Sequence, residues 1–390
     1  MKRLPTWVEV DLDRIIHNLD KIQEHVTAGV ALLLTVKADA YGHGAVQVAE
    51  AAEGHVRVFG VATIDEAVEL SEAGIKTPIL VLSPVLDTEI PAVAQGRFAV
   101  TVSSRSFAER LSEYGLANGH IFDVHVEVDT GMGRTGIPAE FAREEIAVIS
   151  KLPSIRLEGV YTHFPVSDTD TAYTRSQISL FEGLIEEIGS DGVEVPIVHS
   201  ANSAAVADLP ESHMNMIRPG LLAYGLHPGG GAPALDVAPI LSWKTRLARV
   251  RRVPKGRSIS YGRDHTTRRD SWIGVVPVGY GHGYPFRLSG RGEMIIRGQR
   301  VPIVGRVTMD MTMVDLTDMP EIPNPGEEMV LVGSQGNEAI TFHDLAAWSD
   351  SICYEVMCDI SRRVVRTYFR GGKVETFKSL LGVLPNHVAL

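Results

Sequence analysis

The sequence predicts a two-domain α/β protein, an N-terminal (β/α)8 barrel of the TIM type followed by a mainly antiparallel β domain. Three observations carry this prediction. The chain has 390 residues and is 44% hydrophobic, which suits two cores better than one. Eight short, β-branched apolar runs alternate with helix-patterned segments from residue 29 onward, the rhythm of parallel strands joined by crossover helices. After Gly225 that rhythm stops, and short strand patterns separated by Gly and Pro turns replace it.

An amphipathic segment over residues 12–25 leads into the first barrel strand or covers it. Strands are expected at residues 30–36, 56–62, 78–82, 98–102, 121–128, 157–163, 195–199 and 214–224. Helices are expected at 64–73, 104–114, 138–150 and 172–188, each long enough for a crossover. Eight such units close into a barrel whose active site lies at the C-terminal strand ends. The breaker-rich run His227-Pro228-Gly229-Gly230-Gly231-Ala232-Pro233 marks the junction. The domains are therefore placed at 1–237 and 238–390, with residues 1–11 able to pack with the second. In that domain strands are expected at 241–253, 272–278, 293–296, 301–304, 309–316 and 328–332, and a helix at 342–349.

Charge and cysteine content narrow the partners. With 37 Lys+Arg against 48 Asp+Glu the formal charge is −11, which disfavours nucleic acid and anionic membranes and leaves small molecules or protein. Cys353 and Cys358 are too few for a disulfide framework or a structural zinc site, so no metal is expected. The N-terminus runs into Val8-Glu9-Val10-Asp11 without a long apolar stretch, and no window reaches the ~20 apolar residues of a membrane span. A soluble, cytoplasmic protein is expected.

The first strand ends in Thr35-Val36-Lys37-Ala38-Asp39-Ala40-Tyr41-Gly42. A lysine after an apolar run is commonly a solvated loop residue, but at a barrel's C-terminal mouth desolvation would make it a nucleophilic amine suited to a Schiff base. Tyr41, one turn on, can bond a ligand phosphate. Gly131-Met132-Gly133-Arg134-Thr135-Gly136 has the form G-x-G-x-x-G, yet it follows the fifth strand of a series rather than opening a doubly wound sheet, so a dinucleotide site is rejected. Arg134 is the residue of interest there, a guanidinium shaped for a carboxylate or phenolate. Later strand ends add His163, then His199 to Ser203, then Arg218-Pro219-Gly220-Leu221. Taken singly these could be core histidines or a structural ion pair. Ser203 and the N–H groups near Gly220 suit the phosphate position beside the last two strands.

In order and spacing these residues resemble the bacterial alanine racemases, pyridoxal-phosphate enzymes with a barrel and a β domain, from Trp7-Val8-Glu9-Val10-Asp11-Leu12 to Tyr354-Glu355-Val356. The resemblance implies that Lys37 carries pyridoxal 5'-phosphate, with Tyr41, Ser203, Gly220, Leu221 and Tyr354 as phosphate contacts and Arg218 at the pyridine nitrogen. It makes His163 and Asn202 further cofactor contacts, and Arg134 the group facing the cofactor phenolate and the substrate carboxylate. Ser260-Tyr261-Gly262 resembles the catalytic tyrosine motif, and Gly305-Arg306-Val307-Thr308-Met309-Asp310 the loop whose Met309 backbone meets the carboxylate. Glu127, His199 and Asp310 fall behind the site, and Asp168, Tyr280 and Arg306 at its entrance. A homodimer with shared sites is implied, interconverting L- and D-alanine and supplying D-alanine for peptidoglycan.

Racemisation needs a base on each face of the substrate's Cα, which Lys37 and the partner subunit's Tyr261 would supply. His163 and cationic Arg218 are expected to favour the tyrosine phenolate, and an arginine at the pyridine nitrogen keeps its proton and weakens the ring as an electron sink. Three positions depart from the family pattern. Glu127 stands where a lysine, often carbamylated, is common, and is expected to orient Arg134 directly. Gly281-His282 replaces the usual Ala-Asp, and Thr308 replaces a common cysteine. A serine or broader racemase, a barrel-type decarboxylase and a non-catalytic pyridoxal-phosphate binder are the alternatives. Arg218 and Tyr261 speak against the decarboxylase, and the whole second domain against the binder.

Overall fold

The computed structural model describes residues 4–229 and 235–385. Residues 230–233 of the predicted junction lie outside the described residues. Strand β1 (Thr6–Asp11) and helix α1 (Leu12–His25) come first. Eight parallel strands follow: β2 (Ala31–Thr35), β3 (Val58–Val61), β4 (Ile79–Val81), β5 (Ala99–Val102), β6 (Phe122–Asp129), β7 (Ile155–Tyr161), β8 (Ile197–His199) and β9 (Met216–Ile217). Each pairs with the next, and β9 pairs back to β2, so the barrel is closed. All eight predicted strands are present. The last is only two residues long, because the chain from Arg218 turns away to form the floor of the mouth.

The barrel strands read as near-continuous apolar runs because both faces are covered. Leu33, Val58, Leu80, Ile197 and Met216 meet in one buried cluster, each contributing roughly 1.5–3 kcal/mol by leaving water. The outer helices start where the sequence supplies caps: Thr63 closes a capping box with Glu66 at the head of α2 (Ile64–Glu72), and Ser104 caps α3 (Arg105–Asn118). Helices α4 (Ala139–Ile149) and α5 (Thr171–Ser190) complete the four predicted crossovers. Additional short helices at Ala45–Ala52 and Ile90–Gly96 were not foreseen, and a further one spans Ser203–Asp208.

The second unit contains a sheet in which β1 lies parallel to β12 (Val365–Arg370) and antiparallel to β10 (Leu241–Arg246). The expected strand at 241–253 is two strands, because the chain breaks at Leu247–Ala248 before β11 (Arg249–Val253) joins a separate three-stranded sheet with Ser271–Val276 and Thr312–Asp315. The expected strand at 309–316 starts only at Thr312, since Thr308 Oγ1 accepts from Met311 N at 3.1 Å and folds residues 308–311 into a turn. Phe342–Ser349 is helical as expected. Helix Cys353–Cys358 and the strands at Val365–Arg370, Lys373–Ser379 and Gly382–Pro385 were missed. By compactness, residues 14–40 and 45–238 form the barrel unit, and the described parts of Met1–Asp13, Tyr41–Gly44 and Pro239–Leu390 form the other.

Candidate active site

Strand β2 ends two residues before Lys37, and the chain then takes an unusual course. Ala38, Asp39, Ala40 and Tyr41 all have φ between +52° and +54°, a left-handed run that costs L-residues roughly 1–2 kcal/mol each. Local bonds hold it: Ala40 N donates to Val36 O at 2.8 Å, Ala45 N to Asp39 Oδ1 at 2.9 Å, and Ala38 N to Glu66 Oε1 at 2.7 Å. In the β-domain unit Tyr41 lies beside Tyr354, ring centroids 6.0 Å apart, so two predicted phosphate contacts meet. Gly42 is required there, with φ +79° and a Cβ that would sit 2.3 Å from the Met357 carbonyl oxygen. Burial holds the Tyr41 phenol well above its ordinary range.

At the barrel mouth Arg218 is buried and almost fully engaged. Its Nη2 donates to Thr162 O at 2.8 Å, Ser200 O at 3.0 Å and His163 Nδ1 at 3.3 Å, and its Nη1 to His199 Nδ1 at 3.0 Å. The guanidinium also lies 5.1 Å from the Tyr161 ring, which stacks on His199. Burial lowers Arg218 to about 10, so it stays cationic. Burial, then Arg218, Arg134 and Lys37, lower His163 to about 3. His163 is therefore held neutral at ordinary pH. His199 is likewise held well below its ordinary value by burial and Arg218. Behind it His125 Nδ1 lies 2.9 Å from His199 Nε2, and His125 Nε2 lies 3.4 Å from Glu158. Neither His125 nor Glu158 was picked out as part of the site. The available signal was a polar residue at every second position of β6, Asp123, His125, Glu127 and Asp129, on a strand whose other face is all valine beyond Phe122.

Ser203 Oγ accepts from Gly220 N at 2.9 Å and Leu222 N at 3.2 Å. These two N–H groups fix the buried Ser203 hydroxyl oxygen beside Leu221 and leave its proton to donate, which suits a phosphate oxygen. Asn202 supports it from below, capping the next helix through Ala205 N and accepting from Ser167 Oγ at 2.8 Å. Lys37 supplies an amine, Arg218 keeps an Nε–H that makes no bond among the described residues, and this set fits pyridoxal phosphate.

Glu127 is 3% exposed, with Oε2 lacking a hydrogen-bond partner among the described residues. Burial raises its pKa, and a bond from Thr135 and the charges of Arg134 and Arg218 pull the other way. Arg134 is exposed and makes no ion pair within 4 Å among the described residues. The direct Glu127–Arg134 pair expected from the sequence is therefore not formed; Thr135, next to Arg134, takes the carboxylate and the arginine is felt only as a nearby charge. Asp168, beyond β7, is exposed.

In the second unit Tyr261 is 73% exposed at the tip of a hairpin. Its presentation is built from strained backbone: Ser260 has φ +65° and donates Oγ to Arg306 O at 2.7 Å, and Gly262 leaves room where a Cβ would meet Arg306 Cζ at 2.5 Å. Arg306 pairs with Asp264. Nearby turns form a second platform, with Gly281 N donating to Met309 O at 2.9 Å and Arg363 to Asp310 at 2.8 Å. The Met309 N–H donates to nothing among the described residues. Tyr280 is half-exposed and His282 buried. No group of metal-ligating side chains occurs among the described residues, nor does a helix long and apolar enough to cross a membrane.

A closed barrel with a cationic, phosphate-ready mouth and an appended β domain defines a class of two-domain barrel enzymes. Residues 10–228 match the model for the alanine racemase N-terminal domain and residues 240–368 that for the C-terminal domain. The chain belongs to the alanine racemase family. It is 39% identical over 367 residues to an alanine racemase of Halothermothrix orenii, covering 93% of this chain and 97% of that one. The structure of alanine racemase from Bacillus anthracis with bound L-Ala-P superposes with a TM-score of 0.88 at 36% identity, covering 98% of each chain. Alanine racemase from Bartonella henselae, with covalently bound pyridoxal phosphate, shares the fold at a TM-score of 0.85 and 24% identity, covering 94% of this chain and 99% of that one.

Proposed function

We propose that this chain interconverts L- and D-alanine as a pyridoxal-phosphate-dependent homodimer in the cytoplasm, supplying D-alanine for cell-wall peptidoglycan. The observation that carries the reading is Arg218: a buried guanidinium with both terminal nitrogens committed and one N–H left over. Such a group binds a ring nitrogen as a fixed donor and keeps its own proton. Bound at this mouth, pyridoxal phosphate would supply the electron sink that acidifies the substrate's Cα–H.

The remaining chemistry belongs to this chain's residues. Ser203, Gly220 and Leu221, with Tyr41 and Tyr354, hold the phosphate. Arg134 and the N–H of the partner subunit's Met309 bind the substrate carboxylate, which leaves the Cα–H bond as the part free to react. Lys37 Nζ takes or returns the proton on one face, and the partner subunit's Tyr261 does so through its phenol oxygen on the other. Two different bases on opposite faces make inversion the outcome of one proton taken and one given. With the cofactor bound, Arg218 would keep its own proton at the ring nitrogen and weaken the electron sink, which disfavours transamination. Incubating the pyridoxal-phosphate-loaded protein with a panel of single L-amino acids, followed by chiral chromatography, tests the proposal. Conversion of alanine in both directions is expected. Decarboxylation, or turnover of other residues with alanine untouched, would refute it.

A further inference from the structure

Glu66 occupies the third position of α2, and its carboxylate is used at both ends. Oε2 accepts from Ala62 N at 2.7 Å and Thr63 N at 3.3 Å, while Thr63 Oγ1 accepts in return from Glu66 N at 3.2 Å. A capping box asks for no more than this. Oε1 instead takes the N–H of Ala38, 2.7 Å away. That N–H belongs to the peptide plane joining Lys37 to Ala38. Because the plane is rigid, holding its N–H fixes ψ of Lys37 and with it the direction in which the left-handed run departs.

The other end of the clamp is anchored in the packed barrel wall. Ile64, Ala67 and Leu70 bury the inner face of α2, and β3 delivers Ala62 directly from the barrel wall. We propose that Glu66 is a positioning residue for Lys37, tying the strained peptide after the lysine to the capped start of α2. This deepens, and rests on, the reading of Lys37 as the cofactor-bearing base.

Three variants separate positioning from mere helix capping. In Glu66→Gln the side-chain carbonyl can serve one end only, and the amide sets donor against donor at the other. Glu66→Asp keeps both acceptors on a shorter arm. Thr63→Ala breaks the capping box and leaves the bond to Ala38 intact. Each full-length chain, loaded with pyridoxal phosphate, is measured for amide hydrogen exchange over residues 36–44, rate of borohydride fixation of pyridoxyl on Lys37, and kcat and KM. Glu66→Gln should exchange about tenfold faster, label and turn over about tenfold more slowly, and keep KM within about twofold. Glu66→Asp should lie between it and wild type, and it carries the test alone if Glu66→Gln does not fold. Thr63→Ala should lower Tm and leave the other readouts at wild-type values. Wild-type exchange and labelling in both Glu66 variants, or equal losses in Thr63→Ala, would overturn the proposal. A wild-type chain that takes no label on Lys37 would instead refute the reading of Lys37, and the exchange data would still decide the clamp.

Discussion

His199 Nε2 faces His125 Nδ1 at 2.9 Å, and the direction of that bond is fixed by what lies beyond it. Arg218 can only donate, so His199 Nδ1 must accept from it and the neutral His199 carries its proton on Nε2. His199 therefore donates to His125 Nδ1, and a neutral His125 presents Nε2–H to Glu158. The hydrogen bond from His125 holds the Glu158 carboxyl below its usual range. The chain of bonds ends in a carboxylate at one side and a guanidinium at the other, with both histidines neutral between them.

Neutral histidines make stability depend on acid. His163 has a folded pKa of about 3 against an ordinary 6.5, and His199 is shifted the same way, so the unfolded chain binds these protons first as pH drops. The His163 contribution is complete above about pH 6.5 and is lost as pH falls toward about 3, and that of His199 is lost in the same direction. His163→Gln should lose less unfolding free energy than wild type between pH 6.5 and pH 5, by up to about 1.4 kcal/mol per pH unit, and its Tm should fall less over that range. Parallel acid dependence in the two proteins would show that His163 is protonated in the fold.

The shared-site reading separates Lys37 from Tyr261. Lys37→Ala and Tyr261→Phe chains mixed in equal amounts and refolded should regain about a quarter of wild-type activity overall, because about half of the dimers are mixed and one of the two sites in each is intact; that is far above either parent, since catalytic groups contribute on the order of 10²–10⁴-fold. Heterodimers confirmed by native mass spectrometry that stay inactive would place both bases on one chain.

Glu127 trades stability for function in this account. Burial raises its pKa, so the folded chain resists ionising it and stability falls as pH rises from 4.5 through the folded value. Glu127→Gln should therefore be more stable than wild type at pH 8 by about 1 kcal/mol and melt at a higher temperature. It should also raise KM for alanine, because Arg134 loses the negative charge that biases it, and bicarbonate should not alter either protein. Unchanged KM with unchanged Tm would make the carboxylate a bystander.

Most of the fold was legible because its signals are local. Runs such as Ala31–Thr35, apolar on both faces, can hardly be anything but barrel strands, and capped, periodic segments such as Phe342–Ser349 announce helices. What escaped depends on distant partners. The six-residue helix Cys353–Cys358 is too short for a period. The place of Thr6–Asp11 between β10 and β12 is set by pairing more than 200 residues away. Ala38, Asp39 and Ala40 have no preference for left-handed backbone, and only the bonds around them impose it. At the site, the residues named from the sequence had a resemblance to guide them, whereas His125, Glu158 and Glu66 carry no motif and stand out only through their bonds to other groups.

The two-base account is tested most directly by hydrogen exchange at Cα in D2O, followed separately from each enantiomer of alanine. In Tyr261→Phe, wash-in of deuterium from L-alanine should fall by at least about a hundredfold relative to wild type, while exchange from D-alanine, served by Lys37, is largely retained. Equal loss from both enantiomers would contradict tyrosine as the L-face base and with it the two-face mechanism.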